Sequence, residues 1–242
     1  LKTIYKKIDD KFNTKKEFTQ LLETESSDIK LVTFLNPFSY TVYLENPNLV
    51  DEFDVFFADG ALLVKLHNIF NSKKIDRVSF DFSSIAKDVL DFANTKSMNI
   101  AFIGAKQDEL NGAIKNIKTM YSNINIVYHR NGYFNSEEDY EICFDELSSL
   151  TVDMLVIGMG SPYQEKFAVR VKNAGLKIPL IFTCGGFFTQ TSIKADYYHP
   201  LVKKFGLRWL QRAIMHKHVR NRLLKDYPSF LIKYIYNHII YK

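Results

Sequence analysis

Six short runs of branched and aromatic residues recur along the chain, separated by longer amphipathic stretches. They predict strands over Leu31–Leu35, Asp54–Phe57, Asn99–Ile103, Ile124–Tyr128, Met154–Ile157 and Leu180–Thr183. Each run is nearly continuously apolar, the pattern of a strand buried on both faces of a parallel sheet. Between them, Ser84–Thr95, Gln107–Tyr121, Glu137–Ser149 and Tyr163–Ala174 carry helical spacing. This βαβ rhythm predicts an α/β fold, a Rossmann-like, mostly parallel sheet with helices on both faces. A chain of 242 residues suits one large domain of this kind, or a domain with an appendage. No internal repeat or flexible linker interrupts the rhythm, but it stops beyond Asp196. The rest reads as helices, roughly Leu201–His216, Val219–Asp226 and a last one after Pro228. The expected division is a core domain over 1–194 and a mainly helical appendage over 195–242.

Charge divides the chain at the same place. From Lys194 to Lys242 there are eleven Lys or Arg and two acids, leaving twenty-one bases against twenty-five acids upstream. The formal net charge of +5 therefore hides a mildly acidic body and a strongly basic tail. The tail also ends in an apolar run from Phe230 to Tyr241. A basic segment with an oily face suits an anionic lipid surface, with nucleic acid or a phosphorylated ligand as alternatives. The run is broken by Lys233, Asn237 and His238, and no stretch reaches the roughly 18 apolar residues of a membrane span. Such a tail lies on a membrane, and its removal beyond Tyr227 is expected to weaken lipid binding while leaving the core folded. The same apolar surface would serve a homo-oligomer. No nucleic-acid-binding motif supports that alternative. Cys143 and Cys184 form no framework, which fits a reducing compartment, and the scattered histidines show no zinc spacing. No metal site and no cofactor is expected.

In parallel sheets ligands bind beyond the carboxyl ends of the strands, and the unusual residues of this chain gather there. Asp59-Gly60 follows the second run; such an Asp either caps a turn or helix, or does chemistry. In Gly158-Met159-Gly160-Ser161-Pro162-Tyr163-Gln164-Glu165, glycines before a helix could admit an anion to backbone amides, or simply make a tight turn. Gly185-Gly186 allows the same two readings, and Cys184 before it suits a small core residue better than a nucleophile. Around Trp209, the arginines Arg208, Arg212, Arg220 and Arg222 either meet phosphate oxygens or form a solvated face, with Trp209 anchoring the helix. His216 and His218 read as tail surface.

Taken in order, these motifs resemble the WecG/TagA/CpsF glycosyltransferases. The matching residues are Asn36, Ala58-Asp59-Gly60, Arg77-Val78, Phe102-Ile103-Gly104-Ala105 and Asn131-Gly132-Tyr133-Phe134. They continue with Gly158-Met159-Gly160-Ser161-Pro162, Gln164-Glu165, Gly185-Gly186, Gly206-Leu207, Trp209 and Arg212. The resemblance runs from about Val32 to Arg222. It implies a bacterial inverting transferase that extends a lipid-linked saccharide for a capsule, wall polymer or surface polysaccharide. A UDP-sugar would be the donor and a polyprenyl-diphosphate-linked saccharide, on undecaprenyl diphosphate, the acceptor. It also implies a peripheral position on the cytoplasmic face of the plasma membrane, held there by the appendage. Asp59 matches the catalytic base. Asn36, Arg77 and Gln164 match residues around the substrates, and Arg212, Arg220 and Arg222 match appendage arginines that meet phosphates. Gly104, Gly158, Gly160, Ser161, Glu165, Gly185 and Gly186 fall in the same strand-end motifs and are expected to line the pocket. Without an Asp-x-Asp pair to hold a divalent ion, arginines and helix amides are expected to carry the diphosphate charge, so that the reaction needs no metal. The chain departs from the family pattern at Leu62, Phe80, Tyr163 and Arg208, close to where sugar and phosphate would bind. Donors of N-acetylmannosamine and uronic-acid type both occur in the family, and another sugar in a capsule-type enzyme fits equally.

Overall fold

The structure is a computed structural model, described here for residues 2–24, 28–194, 197, 201–202, 207–215 and 217–240. Gly206, His216 and the side chain of His218 lie outside that description. Six parallel strands form a single sheet: β1 (Lys30–Leu35), β2 (Val55–Ala58), β3 (Asn99–Gly104), β4 (Asn125–Arg130), β5 (Met154–Gly158) and β6 (Leu180–Thr183). Their order is β2-β1-β6-β5-β3-β4. All six predicted strands form, each within two residues of the expected bounds.

Period-two alternation divides the strand side chains between two cores. Leu31, Leu35, Ile103, Leu155, Ile157 and Ile181 face one side. Val32, Phe102, Met154, Val156, Leu180 and Phe182 face the other. The first face is covered by α1 (Lys2–Asp10), α3 (Pro37–Glu45), α4 (Pro47–Glu52), α5 (Ala61–Phe70), α8 (Glu137–Ser148) and α9 (Tyr163–Asn173). The second is covered by α2 (Lys15–Glu23), α6 (Ala86–Thr95), α7 (Gln107–Met120) and α10 (Phe187–Ile193). The outer strand β4 is only half-buried, as an edge should be.

The carboxyl ends of the strands finish level. Leu35 pairs with Ala58, Gly104 with Gly158 and Ile157 with Thr183. The ladder runs one residue further: Asp59 N donates to Leu35 O at 2.7 Å, Ala105 N to Gly158 O at 2.9 Å and Cys184 N to Ile157 O at 2.7 Å. One edge therefore presents Asn36, Asp59, Ala105, Met159 and Cys184 together. The connections leaving β3 and β5 diverge, towards β4 and towards β6, which opens a crevice between them.

Most of the described C-terminal segment is helical, with α11 (Arg208–Met215) and α12 (Lys217–Ile240). The expected break at Pro228 does not occur, and α12 continues through it. Proline removes one N–H and crowds the preceding turn, at a cost of about 3 kcal/mol. Here Leu224, whose carbonyl loses that partner, and Pro228 are both exposed, so water can serve the carbonyl. On the opposite side Phe230 and Tyr234 are 1% and 0% exposed within the first core. Burying the two rings, at about 1.5–3 kcal/mol each, offsets the proline. The apolar tail is thus split: one face completes the core and the other, including Leu224, Ile232 and Tyr236, is exposed.

Candidate active site

A cavity of about 280 Å³ opens at the carboxyl edge, lined by residues that follow β1, β2, β3, β5 and β6 and by Arg212 and Arg222. A larger cleft of about 600 Å³ lies at the opposite edge of the sheet, lined by Leu21, Leu22, Phe92, Met98 and Leu180, among others. It carries none of the strand-end motifs, so size does not mark the site here; the convergence of polar groups does.

Asp59 sits at the centre. Its backbone is held by the β1–β2 ladder, and Gly60, at φ +148°, occupies the N-cap of α5. The Asp59 carboxylate makes no cap bond. Its Oδ1 accepts Arg77 Nη2 at 3.0 Å instead. Arg77 arrives through a parallel bridge between Ala58 and Arg77, in which Val78 N donates to Ala58 O at 2.9 Å. The same Arg77 nitrogen donates to Asp81 Oδ2 at 3.1 Å. Burial would raise the Asp81 carboxyl, but Arg77, Ser83 and Ser79 outweigh it and hold the group below its ordinary range.

Asn36 caps α3, its Oδ1 accepting Phe38 N at 2.9 Å and Ser39 N at 3.1 Å. It also lines the cavity. Gln164 is nearly buried and ties two loops together: its Oε1 accepts Gly185 N at 3.1 Å and its Nε2 donates to Glu165 Oε1 at 2.9 Å. Ser161 Oγ donates to the same Glu165 oxygen at 2.7 Å. Gly160 and Gly185 adopt positive φ of +75° and +56° with open space where a Cβ would stand, as an approach to a ligand requires. Gly186 lies below Arg212, whose Nη2 would be 3.8 Å from a Cβ placed there.

Three expected pocket residues have other work. A Cβ on Gly104 would lie 2.4 Å from Gly158 O, so this glycine serves the close approach of β3 and β5. Glu165 is fully buried behind the wall that Ser161 and Gln164 present. Arg220 Nη1 donates to Ala213 O at 2.9 Å and Ile214 O at 3.0 Å, closing the C-terminus of α11 away from the cavity. Gly158 lines the cavity, but a Cβ there would also strike Phe188 and Cys184, which gives it a packing reason as well. Cys184 is a wall residue whose thiol is pushed well up by burial. Trp209 is 49% exposed, so about half of it is covered.

The C-terminal segment closes the cavity from above. The Arg222 guanidinium stacks on Phe38 at 3.7 Å from the ring centroid. Burial, then the like charge of Arg212, lowers Arg222 from its ordinary value. Tyr227 is pushed up to about 12, by burial first and then by the negative charge of Asp59. The fields of Asp59, Arg212 and Arg222 therefore meet at this phenol. Sequence reasoning missed Phe38 and Tyr227, whose only signal is aromatic character beside an expected site. Among the described residues, no three His, Cys, Asp or Glu side chains are grouped to hold a metal ion. Likewise, no described helix is long and apolar enough to cross a membrane.

A carboxylate opposite two guanidinium groups, between glycine-lined strand ends, can accept a proton and stabilise a departing phosphate charge. Comparison with known proteins identifies the family. Residues 8–242 match the model of the glycosyl transferase WecG/TagA/CpsF family. A UDP-Gal:alpha-D-GlcNAc-diphosphoundecaprenol beta-1,4-galactosyltransferase of Shigella boydii is 41% identical over 228 residues, covering 94% of each chain. An N-acetylglucosaminyldiphosphoundecaprenol N-acetyl-beta-D-mannosaminyltransferase of Bacillus subtilis is 27% identical over 181 residues, 72% of this chain and 68% of the relative. Its counterpart in Bacillus spizizenii is 23% identical over 222 residues, 88% and 83% of the two chains. The chain belongs to the WecG/TagA/CpsF family and is a glycosyltransferase.

Proposed function

We propose that this enzyme transfers galactose from UDP-galactose, with inversion and without a metal, to N-acetylglucosaminyl-diphosphoundecaprenol. Of the donors open to the family, galactose is supported by the 41% identity to the Shigella boydii enzyme, and an N-acetylmannosamine-type donor by the more distant Bacillus enzymes. The observation that supports the reaction is a single cavity lined by Asp59, Arg212 and Arg222, with Asp59 held by Arg77.

In this reading Asp59 takes the proton from the attacking hydroxyl of the acceptor sugar as that oxygen bonds to the anomeric carbon. The bond from that carbon to the UDP oxygen breaks, and Arg212 and Arg222 stabilise the diphosphate that leaves. Asn36, Gly160, Ser161, Gln164, Gly185 and Gly186 hold donor and acceptor. The basic, partly apolar face of the C-terminal segment rests on the inner face of the bacterial plasma membrane, where the lipid-linked acceptor resides.

The test is UDP release from UDP-galactose and other UDP-sugars with a short-chain prenyl-diphosphate N-acetylglucosamine acceptor. Acceptor-dependent release with UDP-galactose is expected, and Asp59→Asn should lower kcat by about 10²–10⁴-fold. Release from another donor alone would replace galactose, and undiminished turnover in Asp59→Asn would remove the base assignment. Loss of turnover in EDTA, restored by magnesium or manganese, would overturn metal independence.

A further inference from the structure

The hydrogen bonds around Asp59 do not end at Arg77. Asp81 shares Arg77 with Asp59, and its Oδ2 also accepts Ser79 Oγ at 2.7 Å. Its other oxygen accepts Ser83 N at 2.7 Å and the Ser83 hydroxyl. Ser83 Oγ in turn accepts Arg208 Nε at 2.9 Å, across 125 residues of sequence. A hydroxyl has one proton. Ser83 gives it to Asp81 and meets Arg208 with a lone pair, so the chain has a single sense. Arg208 donates to Ser83, Ser83 donates to Asp81, and Asp81 and Asp59 divide the two hydrogens of one Arg77 nitrogen. Each donation in such a chain polarises the next. Arg208 lies on α11, the helix that brings Arg212 to the cavity, yet Arg208 is not among the residues lining it.

We propose that Arg208 is a positioning residue for the transfer: through Ser83, Asp81 and Arg77 it orients the Asp59 carboxylate, which is aligned for proton abstraction when α11 is seated. A positive group reaching Asp81 through Ser83 decides where Arg77 rests between its two carboxylates, and so which way Asp59 points. Seating of the helix that supplies a phosphate-binding arginine and orientation of the base become one event. The inference rests on the reading of Asp59 as the base and deepens it.

The experiment compares Arg208→Gln, Ser83→Ala, their double variant and Arg208→Lys, assayed with UDP-galactose and the short-chain acceptor. Each of the first two should lower kcat about tenfold with both KM values within about twofold, and the double should fall no further than the worse single. Arg208→Lys should recover part of the loss, because an ammonium also donates to Ser83. Trp209, the chain's only tryptophan and the neighbour of Arg208, gives a readout that needs no turnover. Its acrylamide quenching should increase in Arg208→Gln, Ser83→Ala and Asp81→Asn as α11 loosens. The proposal is overturned by a kcat of Arg208→Gln within twofold of wild type, by single losses that multiply in the double, or by Trp209 quenching unmoved in Ser83→Ala. Asp59→Asn separates the two readings. If it is inactive while Arg208→Gln is normal, the positioning role fails and the base stands. If it is fully active, the base assignment itself fails.

Discussion

Two carboxylates near the same sheet edge are given different work by their surroundings. Asp59 is partly exposed to the cavity and paired with Arg77. Glu165 is sealed, its Oε2 has no hydrogen-bond partner among the described residues, and burial raises its carboxyl despite hydrogen bonds from Gln164 and Ser161. A carboxyl raised in the folded state is favoured there as the neutral acid. Its effect on stability is therefore least adverse near its ordinary value of about 4.3 and grows more adverse as pH climbs through the folded value. Glu165→Gln should consequently be folded and gain thermal stability relative to wild type between pH 5 and pH 8, measured by melting at each pH. A larger loss at pH 8 than at pH 5 would show that the ion is the form the fold needs. Glu165→Ala, which leaves Ser161 and Gln164 without their shared acceptor, should lose about 1–3 kcal/mol. At this scale Asp59 was legible as an Asp-Gly at a strand end. Arg77 was named by the family resemblance, but its pairing with Asp59 and the Ser83–Arg208 bond behind it were not legible, because both join residues far apart in sequence. The departure at Arg208 from the family pattern acquires a specific contact only in three dimensions.

At the scale of elements, α12 departs most from what its sequence suggests. A proline, a basic composition and an apolar end read as two short surface helices, whereas packing makes one long helix whose inner face belongs to the core. Its anchor is Asp9 on α1, which is buried and accepts Tyr234 Oη at 2.9 Å, Tyr40 Oη at 3.0 Å, Asn71 Nδ2 at 3.1 Å and His238 Nε2 at 2.8 Å. Burial alone would raise Asp9; the hydrogen bond from His238 and the proximity of His67, 3.7 Å away, bring it down to about 2. Burial would lower His238, but the Asp9 and Tyr234 hydrogen bonds leave it raised. The His238 contribution is therefore fully present below about pH 6.5 and is lost as pH rises through the folded value, while the Asp9 contribution is lost only as pH falls towards about 2. Melting temperature should decline from pH 6 to pH 9. His238→Ala should flatten that decline and cost about 1 kcal/mol at pH 6; an unchanged slope would exclude the pair as its source. Truncation after Tyr227 removes Phe230 and Tyr234, and losses of about 3–5 kcal/mol for each large ring take most of the roughly 5–15 kcal/mol that keeps a domain folded. The truncated chain should melt far below wild type or fail to fold. The expectation of an intact core is thereby withdrawn.

For the whole molecule the division of charge matters most. The basic tail returns to the body, and its exposed side carries Leu224, Ile232 and Tyr236. With Lys225 and Lys233 on the same helix, this surface should bind vesicles rich in anionic lipid and release them as salt increases. Ile232→Glu with Tyr236→Glu should weaken vesicle binding at least tenfold, given the apolar area each side chain would bury. Turnover of a water-soluble acceptor should not change. Equal vesicle binding by the variant would assign the surface to another partner.

Sequence alone determined the sheet, because strands buried on both faces must be short and apolar, and the helices between them must be amphipathic. It also placed the glycines and Asp59 at the strand ends, since a chain leaving a buried strand must turn at once. The family resemblance named Asn36, Arg77, Gln164, Arg212 and Arg222 beside Asp59, but tertiary structure alone decided how these residues pair and which of the expected ones serve packing. Arg77 meets Asp59, Arg208 reaches Ser83, Gly104 and Glu165 support rather than line the cavity, and Pro228 stays within a helix. Those outcomes depend on contacts between distant segments, and local periodicity carries no information about which distant segment will supply a partner.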